Sequence, residues 1–343
     1  MKKETTSCAA RRTSIGGQAL MEGIMMRGPK KSAMAVRRPN GQIYFEEEEI
    51  NKKKRPAICR WPVIRGVFGF VDSMVIGYKA LMRSADIYCE EPDAPEQESE
   101  VAEENAASKS SLGAGVTTAV MLLATVLGIV LAVGLFVWLP TFLYNLIAGV
   151  TPGDWGLAEN RVLRSVFEGV LKVIVLIVYM ALVSLMKDIR RTFMYHGAEH
   201  KTIFCYEHSM PLTVENVRGE RRFHPRCGTS FLILMLLVSI AIGLFIPAQF
   251  GSLEGWTNTL VRAGIKILLI PLTMGIGYEL LKIAGKHDNI VTRIISAPGM
   301  WLQRITVREP TDDMIECAIK AFIAVLPEEE KETEALRAAE AAE

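Results

Sequence analysis

The sequence predicts a mainly α-helical, polytopic membrane protein with about four transmembrane helices and a small N-terminal β-hairpin-containing cytoplasmic region. Three observations carry this. Half of the 343 residues are hydrophobic. Neither 110–153 nor 227–253 contains a single Asp, Glu, Lys or Arg, and runs of that length exceed the ~20 residues that an α-helix needs to cross a bilayer. A polar region with its own turn punctuation precedes them.

The first 60 residues begin basic, with no apolar core of a secretory signal. "GGQALMEGIMMRGP" then reads as glycine-punctuated turns. It lacks the Gly-Lys-Ser/Thr ending of a phosphate-cradling loop, so turn glycines are the expected reading, with Glu22 and Arg27 as lesser candidates to face a site. Asn40-Gly41 supplies the positive-φ residues of a two-residue hairpin turn, with 33–38 and 42–50 pairing across it. Basic residues Arg37, Arg38 and 52–55 suit anionic lipid on the cytoplasmic leaflet. Nucleic acid is the weaker partner, because no aromatic platform accompanies them.

Residues 61–89 follow. Ile64, Val67, Phe68, Val71, Met74, Val75, Tyr78, Leu81 and Met82 recur at helical spacing, with Arg65, Asp72 and Lys79 opposite. An amphipathic helix of this kind lies along the membrane interface rather than across it. Residues 90–112 are acidic, small and proline-containing, the composition of a flexible linker.

Residues 113–290 form the predicted membrane domain, with spans at 116–139, 166–186, 229–250 and 264–284. Lysine and arginine favour cytoplasmic connections. The connection between spans two and three, 187–228, carries Lys187, Arg190, Arg191, Lys201, Arg218, Arg221, Arg222 and Arg226. The other two hold only Arg161 and Arg164, then Arg262. The middle loop and both termini are therefore expected in the cytoplasm. Glu168 and Lys172 read as an interfacial i, i+4 ion pair. Pro271, Gly275 and Gly277 interrupt span four, as in discontinuous transporter helices, but no paired half accompanies it. Residues 291–326 suggest a broken cytoplasmic amphipathic segment with Thr311 capping a helix from Asp312, and 327–343 a charged tail. The six cysteines form no disulfide pattern.

The chemistry concentrates in "MYHGAEHKTIFCYEH", residues 194–208. His196 and His200 are four apart and share one helix face, so two imidazoles can reach one metal ion. Glu199 completes H-x-x-E-H, in which a carboxylate acts as general base on a metal-activated water. Gly197 weakens helix propensity there. "FHPRCGTSF" adds His224 and Cys227 immediately before span three. Span four runs inward, which brings Glu279 near its end to the same membrane level. His196, His200 and Glu279 make a catalytic ligand set with an open position; His196, His200, His224 and Cys227 make a closed structural one. Spacing does not choose between them. Glu279 also stands three residues from Lys282, a possible ion pair. Cys205, Glu207 and His208 are reserve candidates.

Six blocks, "GGQALMEGIMMRGP", "RGVFGFVDSM", "YHGAEHKTI", "HPRCGTSFL", "GYELLK" and "LQRITVREP", resemble the YqhQ-like family of bacterial multi-pass membrane proteins, described as uncharacterised or as predicted metal-dependent enzymes. The resemblance covers nearly the whole chain except the acidic linker and the tail. It implies a bacterial plasma-membrane location, with His196, Glu199, His200, His224 and Cys227 matching the presumed site. The resulting expectation is a divalent-metal hydrolase, with zinc the metal, working at the cytoplasmic membrane face. A non-catalytic membrane factor that binds a protein partner, with at most a structural metal, is the alternative. A transporter is the minor one.

Overall fold

A computed structural model describes residues 13–50, 56–89, 111–150, 160–251, 253, 255–286 and 289–340. The basic run 52–55 and nearly all of the acidic linker lie outside the described residues. The chain divides into two compact units: Met1–Glu90 with Tyr179–Leu234 and Met274–Glu343, and Glu91–Val178 with Met235–Thr273.

The first unit is organised around a four-stranded antiparallel sheet in chain order: β1 Gly16–Leu20, β2 Gly23–Arg27, β3 Lys31–Arg37 and β4 Ile43–Glu49. Two strands were expected here and four form. The glycine-rich segment read as turns folds as β1 and β2, joined by Met21 and Glu22, with Leu20 opposite Gly23. The hairpin at Asn40-Gly41 pairs Arg37 with Ile43. Its turn is three residues rather than two: the Arg38 N–H donates to Gln42 O at 2.9 Å and the Gly41 N–H to Arg38 O at 2.9 Å. Gly41 has φ 85°, the left-handed residue that closes such a turn.

Alternation along the strands gives the sheet two apolar faces. Ile24, Met26, Ala33 and Ala35 pack with Tyr195, Ala198, Ile203 and Tyr206, and with Met314, Ile315, Ala318 and Phe322. Leu20, Met25, Met34 and Val36 pack on Ile87, Ile76 and Ala80. Helix α1, Ile64–Cys89, therefore covers one face. It presents Gly77, Ser84 and Ile87 inward, while Phe68, Val71, Val75, Tyr78 and Leu81 stay exposed. The apolar stripe seen in the sequence points away from the sheet.

Eleven further helices complete the described residues. Helix α2, Ser111–Val133, continues through a π-helical turn at Gly134–Trp138 into α3, Leu139–Val150; α4 is Arg161–Val183. Helices α5, Lys187–Glu207, and α6, Val214–Gly219, occupy the segment read as a loop. Then come α7, Thr229–Gly243, α8, Gly255–Leu268, α9, Ile270–Lys286, α10, Ile290–Thr306, α11, Asp312–Val325, and α12, Glu328–Glu340, in the predicted charged tail. Thr311 is the N-cap residue of α11, with Asp312 and Asp313 in the first turn, but its side chain makes no capping bond.

Leu122–Val150 and Arg161–Val183 are long and apolar enough to cross a membrane; α8 and α9 make a third candidate if their 42° bend belongs to one span. Helix α7 is apolar, but its 15 residues rise only about 22 Å, short of a ~30 Å hydrocarbon core. By length the described helices thus supply two or three spans where four were expected. In the second unit Glu168 accepts hydrogen bonds from Arg164 Nε at 3.2 Å, from Thr141 Oγ1 at 3.2 Å and from Lys266. Its partners are not Lys172, contrary to the i, i+4 reading.

Candidate metal centre

Helix α5 carries His196 and His200 on one face, with ring centroids 4.4 Å apart. Each ring is tied down through Nδ1. His196 Nδ1 lies 3.0 Å from Thr306 O, and His200 Nδ1 2.5 Å from Arg222 O. A carbonyl oxygen can only accept, so Nδ1 must carry the proton in both rings. That leaves each Nε2 as a lone pair, the tautomer in which histidine ligates metals. His196 Nε2 stands 3.1 Å from Cys227 Sγ. His200 Nε2 is buried and has no hydrogen-bond partner. Cys227 sits at the entry to α7, where its sulfur also receives the Thr229 N–H at 3.4 Å.

One nitrogen from each histidine and Cys227 Sγ all lie within 4.8 Å of one another. Tetrahedral zinc sites have ligand–ligand edges of roughly 3.3–3.7 Å. A contraction of about an ångström on the longest edge would suffice. The donor set fits a borderline-soft divalent ion, and the orphaned His200 nitrogen is a buried polar atom that a metal would satisfy.

Glu199 is also buried, and its Oε1 accepts the Gly17 N–H at 2.9 Å. Burial pushes its carboxyl pKa up; the neighbouring His196 and the Gly17 N–H oppose this without cancelling it. Close approach explains two glycines. A Cβ on Gly17 would stand 2.9 Å from Glu199 Cδ, and one on Gly197 would stand 2.0 Å from Arg308 O. The helix-weakening Gly197 is thus where the 307–310 segment lies against α5, with the Arg308 N–H donating to Phe193 O at 2.9 Å.

Two of the sequence candidates lie outside this triad. His224 is buried beside it, its ring 5.6 Å from that of His200. Its Nδ1 receives the Arg226 N–H at 3.3 Å and its Nε2 is 3.8 Å from Glu207 Oε2. Glu279 is held by Arg65, whose Nε donates at 2.6 Å, so its ion-pair partner is Arg65 rather than Lys282. Among the reserve candidates, Cys205 is a core thiol whose pKa burial raises to about 12, and His208 pairs with Glu220 at 2.8 Å. Glu207 is bound by Arg226 and by the Thr13 N–H at 2.9 Å. Burial would raise its pKa, but His224, Arg226 and Thr13 outweigh it and hold the carboxyl at about 2.

Gln303 carries no functional signal in the sequence. This fully buried side chain clamps the His224 backbone from both sides, receiving its N–H at 2.9 Å and donating to its carbonyl at 2.8 Å. It belongs to "LQRITVREP", a block without ligand-type residues, and nothing in its composition marks it. The carbonyls of Thr306 and Arg222 are equally silent, since any residue can supply one.

The model of a protein of unknown function family, DUF1385, matches residues 61–328. The chain belongs to the DUF1385 family. The uncharacterized protein YqhQ of Bacillus subtilis (strain 168) is 32% identical over 315 residues, covering 91% of this chain and 92% of that one. No solved structure matches. The DUF1385 match runs from the start of α1 to the start of α12 and so includes the whole triad.

Proposed function

We propose that this DUF1385 protein is a metal-dependent hydrolase of the bacterial plasma membrane, with a zinc-class ion held by His196, His200 and Cys227. The observation that carries the reading is the convergence of those three donors, with both imidazoles fixed in the ligating tautomer by backbone carbonyls. Three protein ligands would leave a position for water or substrate on a bound ion, as catalytic rather than structural sites do. His224, the candidate fourth ligand, is occupied by Arg226 and Glu207.

A bound divalent ion would supply Lewis acidity, bringing the pKa of a water toward neutrality. The chain's own residues do the rest. His196 and His200 keep their orientation through Thr306 and Arg222. Glu199, one residue from His200 and shielded from solvent, would serve as the proton acceptor, a role suited to a carboxyl whose pKa burial raises. Gly17 fixes that carboxylate through its N–H.

The exposed apolar stripe of α1 and the long apolar helices support the bilayer as a partner, with α1 lying along the interface. Counting α7 and residues 244–250 as a crossing gives four spans, and the Lys and Arg distribution puts both termini and α5 in the cytoplasm. A closed structural centre in a non-catalytic membrane factor is the second reading. It is favoured by the burial of Glu199 and by His200, which is only 1% exposed.

Variants separate the two. Glu199→Gln should retain metal and abolish hydrolysis or complementation. Retention of both would leave the metal centre standing and remove the catalytic role.

A further inference from the structure

Among the described residues, the second unit buries positive charge that exceeds its buried negative charge. Glu168 is its one carboxylate among the described residues. Arg164, Glu168 and Lys172 follow one another at i, i+4 and i+8 on α4, and Arg262 and Lys266 at i, i+4 on α8. Arg164, Glu168, Lys172 and Arg262 are buried and Lys266 is half-buried. Glu168 is contacted by Arg164 and Lys266, and Lys172 lies within electrostatic reach of both Glu168 and Arg262. Helix α3 contributes Thr141 to Glu168 and Asn145, which accepts from Arg164 at 3.0 Å.

Four cations thus surround one carboxylate. Arg164 and Lys266 are committed to it. The other two are not. Arg262 is 1% exposed; one of its terminal nitrogens donates to Pro247 O, and its Nε has no partner. Lys172 makes no hydrogen bond or ion pair among the described residues. An uncompensated buried charge is among the most costly features a fold can carry, and ionisable groups inside apolar helices are retained where a ligand or an ion meets them. A guanidinium beside an ammonium offers several donors converging on one anion, the arrangement that recognises phosphate.

We propose that Lys172 and Arg262, with Arg164 and Lys266 behind them, form a buried binding site for a phosphate-class oxyanion. Glu168 holds the site in register and competes with the anion for the same cations. The site is independent of the histidine centre and of any hydrolytic activity.

The test uses the full-length protein purified in a neutral detergent. Inorganic phosphate is titrated by calorimetry, and phosphatidylglycerol is offered in mixed micelles against phosphatidylcholine and followed by native mass spectrometry. Saturable phosphate binding assigns a free anion; a phosphatidylglycerol adduct without phosphate binding assigns a lipid headgroup. Either supports the site if Lys172→Gln and Arg262→Gln each weaken it by about tenfold or more. Glu168→Gln carries the opposite sign, tightening binding because a competing carboxylate is gone. A purely structural charge cluster has no such signature. Should the variants fail to fold, the wild-type protein still decides: its melting temperature rises saturably with phosphate or phosphatidylglycerol and stays flat with phosphatidylcholine. No binding of either probe, or binding unchanged in Lys172→Gln, overturns the proposal.

Discussion

Gly197 and Gly17 do their work by lacking a side chain. A methyl group at Gly197 would meet the Arg308 carbonyl at 2.0 Å, and backbone cannot rotate away as a flexible side chain could. Gly197→Ala should therefore destabilise the protein by about 1–3 kcal/mol, the usual cost of overpacking, and lower its melting temperature. An unchanged melting temperature would contradict the close packing of α5 against 307–310. Gln303→Leu removes both bonds to the His224 backbone and leaves buried groups unpaired, at roughly 1–3 kcal/mol for each. It should loosen His224 and the approach of Cys227 to the histidines, weakening metal retention more than Gly197→Ala does. Glu207 gives a pH dependence. Its carboxyl is held at about 2 against an ordinary value of 4.5, so the folded state prefers the ionised form. That contribution is fully present above pH 4.5 and is lost as pH falls toward 2. In denaturant titrations across this range, wild type should lose stability that Glu207→Gln lacks from the start. Parallel acid limbs would contradict the assignment.

Legibility differed from element to element, for physical reasons. The β3–β4 hairpin was readable because Asn40-Gly41 is a local backbone signal. β1 and β2 were not, because five-residue strands that begin with glycine look like turns until their partners are known. The two histidines and Cys227 could be found from spacing and residue type. The groups that orient them could not, since carbonyls of Thr306 and Arg222 leave no trace in composition. The pairing of Glu279 with Arg65 joins residues 214 apart, and no spacing rule reaches that far. Helix α1 was readable as amphipathic, but which way its apolar stripe faces was not: the sheet is covered by Ile76, Ala80 and Ile87 instead. Its exposed residues give the element-scale prediction. A nitroxide at Met74 should be more accessible to oxygen than to a water-soluble nickel chelate in liposomes, and one at Lys79, well round the helix, the reverse. Equal aqueous access at both would contradict the interfacial placement.

At the scale of the whole molecule, the chain joins a sheet-based unit that carries the histidine centre to long apolar helices suited to a bilayer. The division of labour explains where polar chemistry is tolerated. In the first unit, Glu199, Glu207, Gln303 and one nitrogen of each ligand-candidate histidine are held by hydrogen bonds or ion pairs, while His200 Nε2 has no partner. In the second, buried cations outnumber buried carboxylates among the described residues. The central claim is that His196, His200 and Cys227 hold a metal ion. Elemental analysis of the protein purified without added metal or chelator tests it most directly. About one zinc or comparable divalent ion per chain is expected in the wild type, lost in His196→Ala, His200→Ala and Cys227→Ala and kept in Glu279→Gln. A wild-type protein that is folded, free of stoichiometric metal and unable to take up zinc, iron or manganese would contradict it.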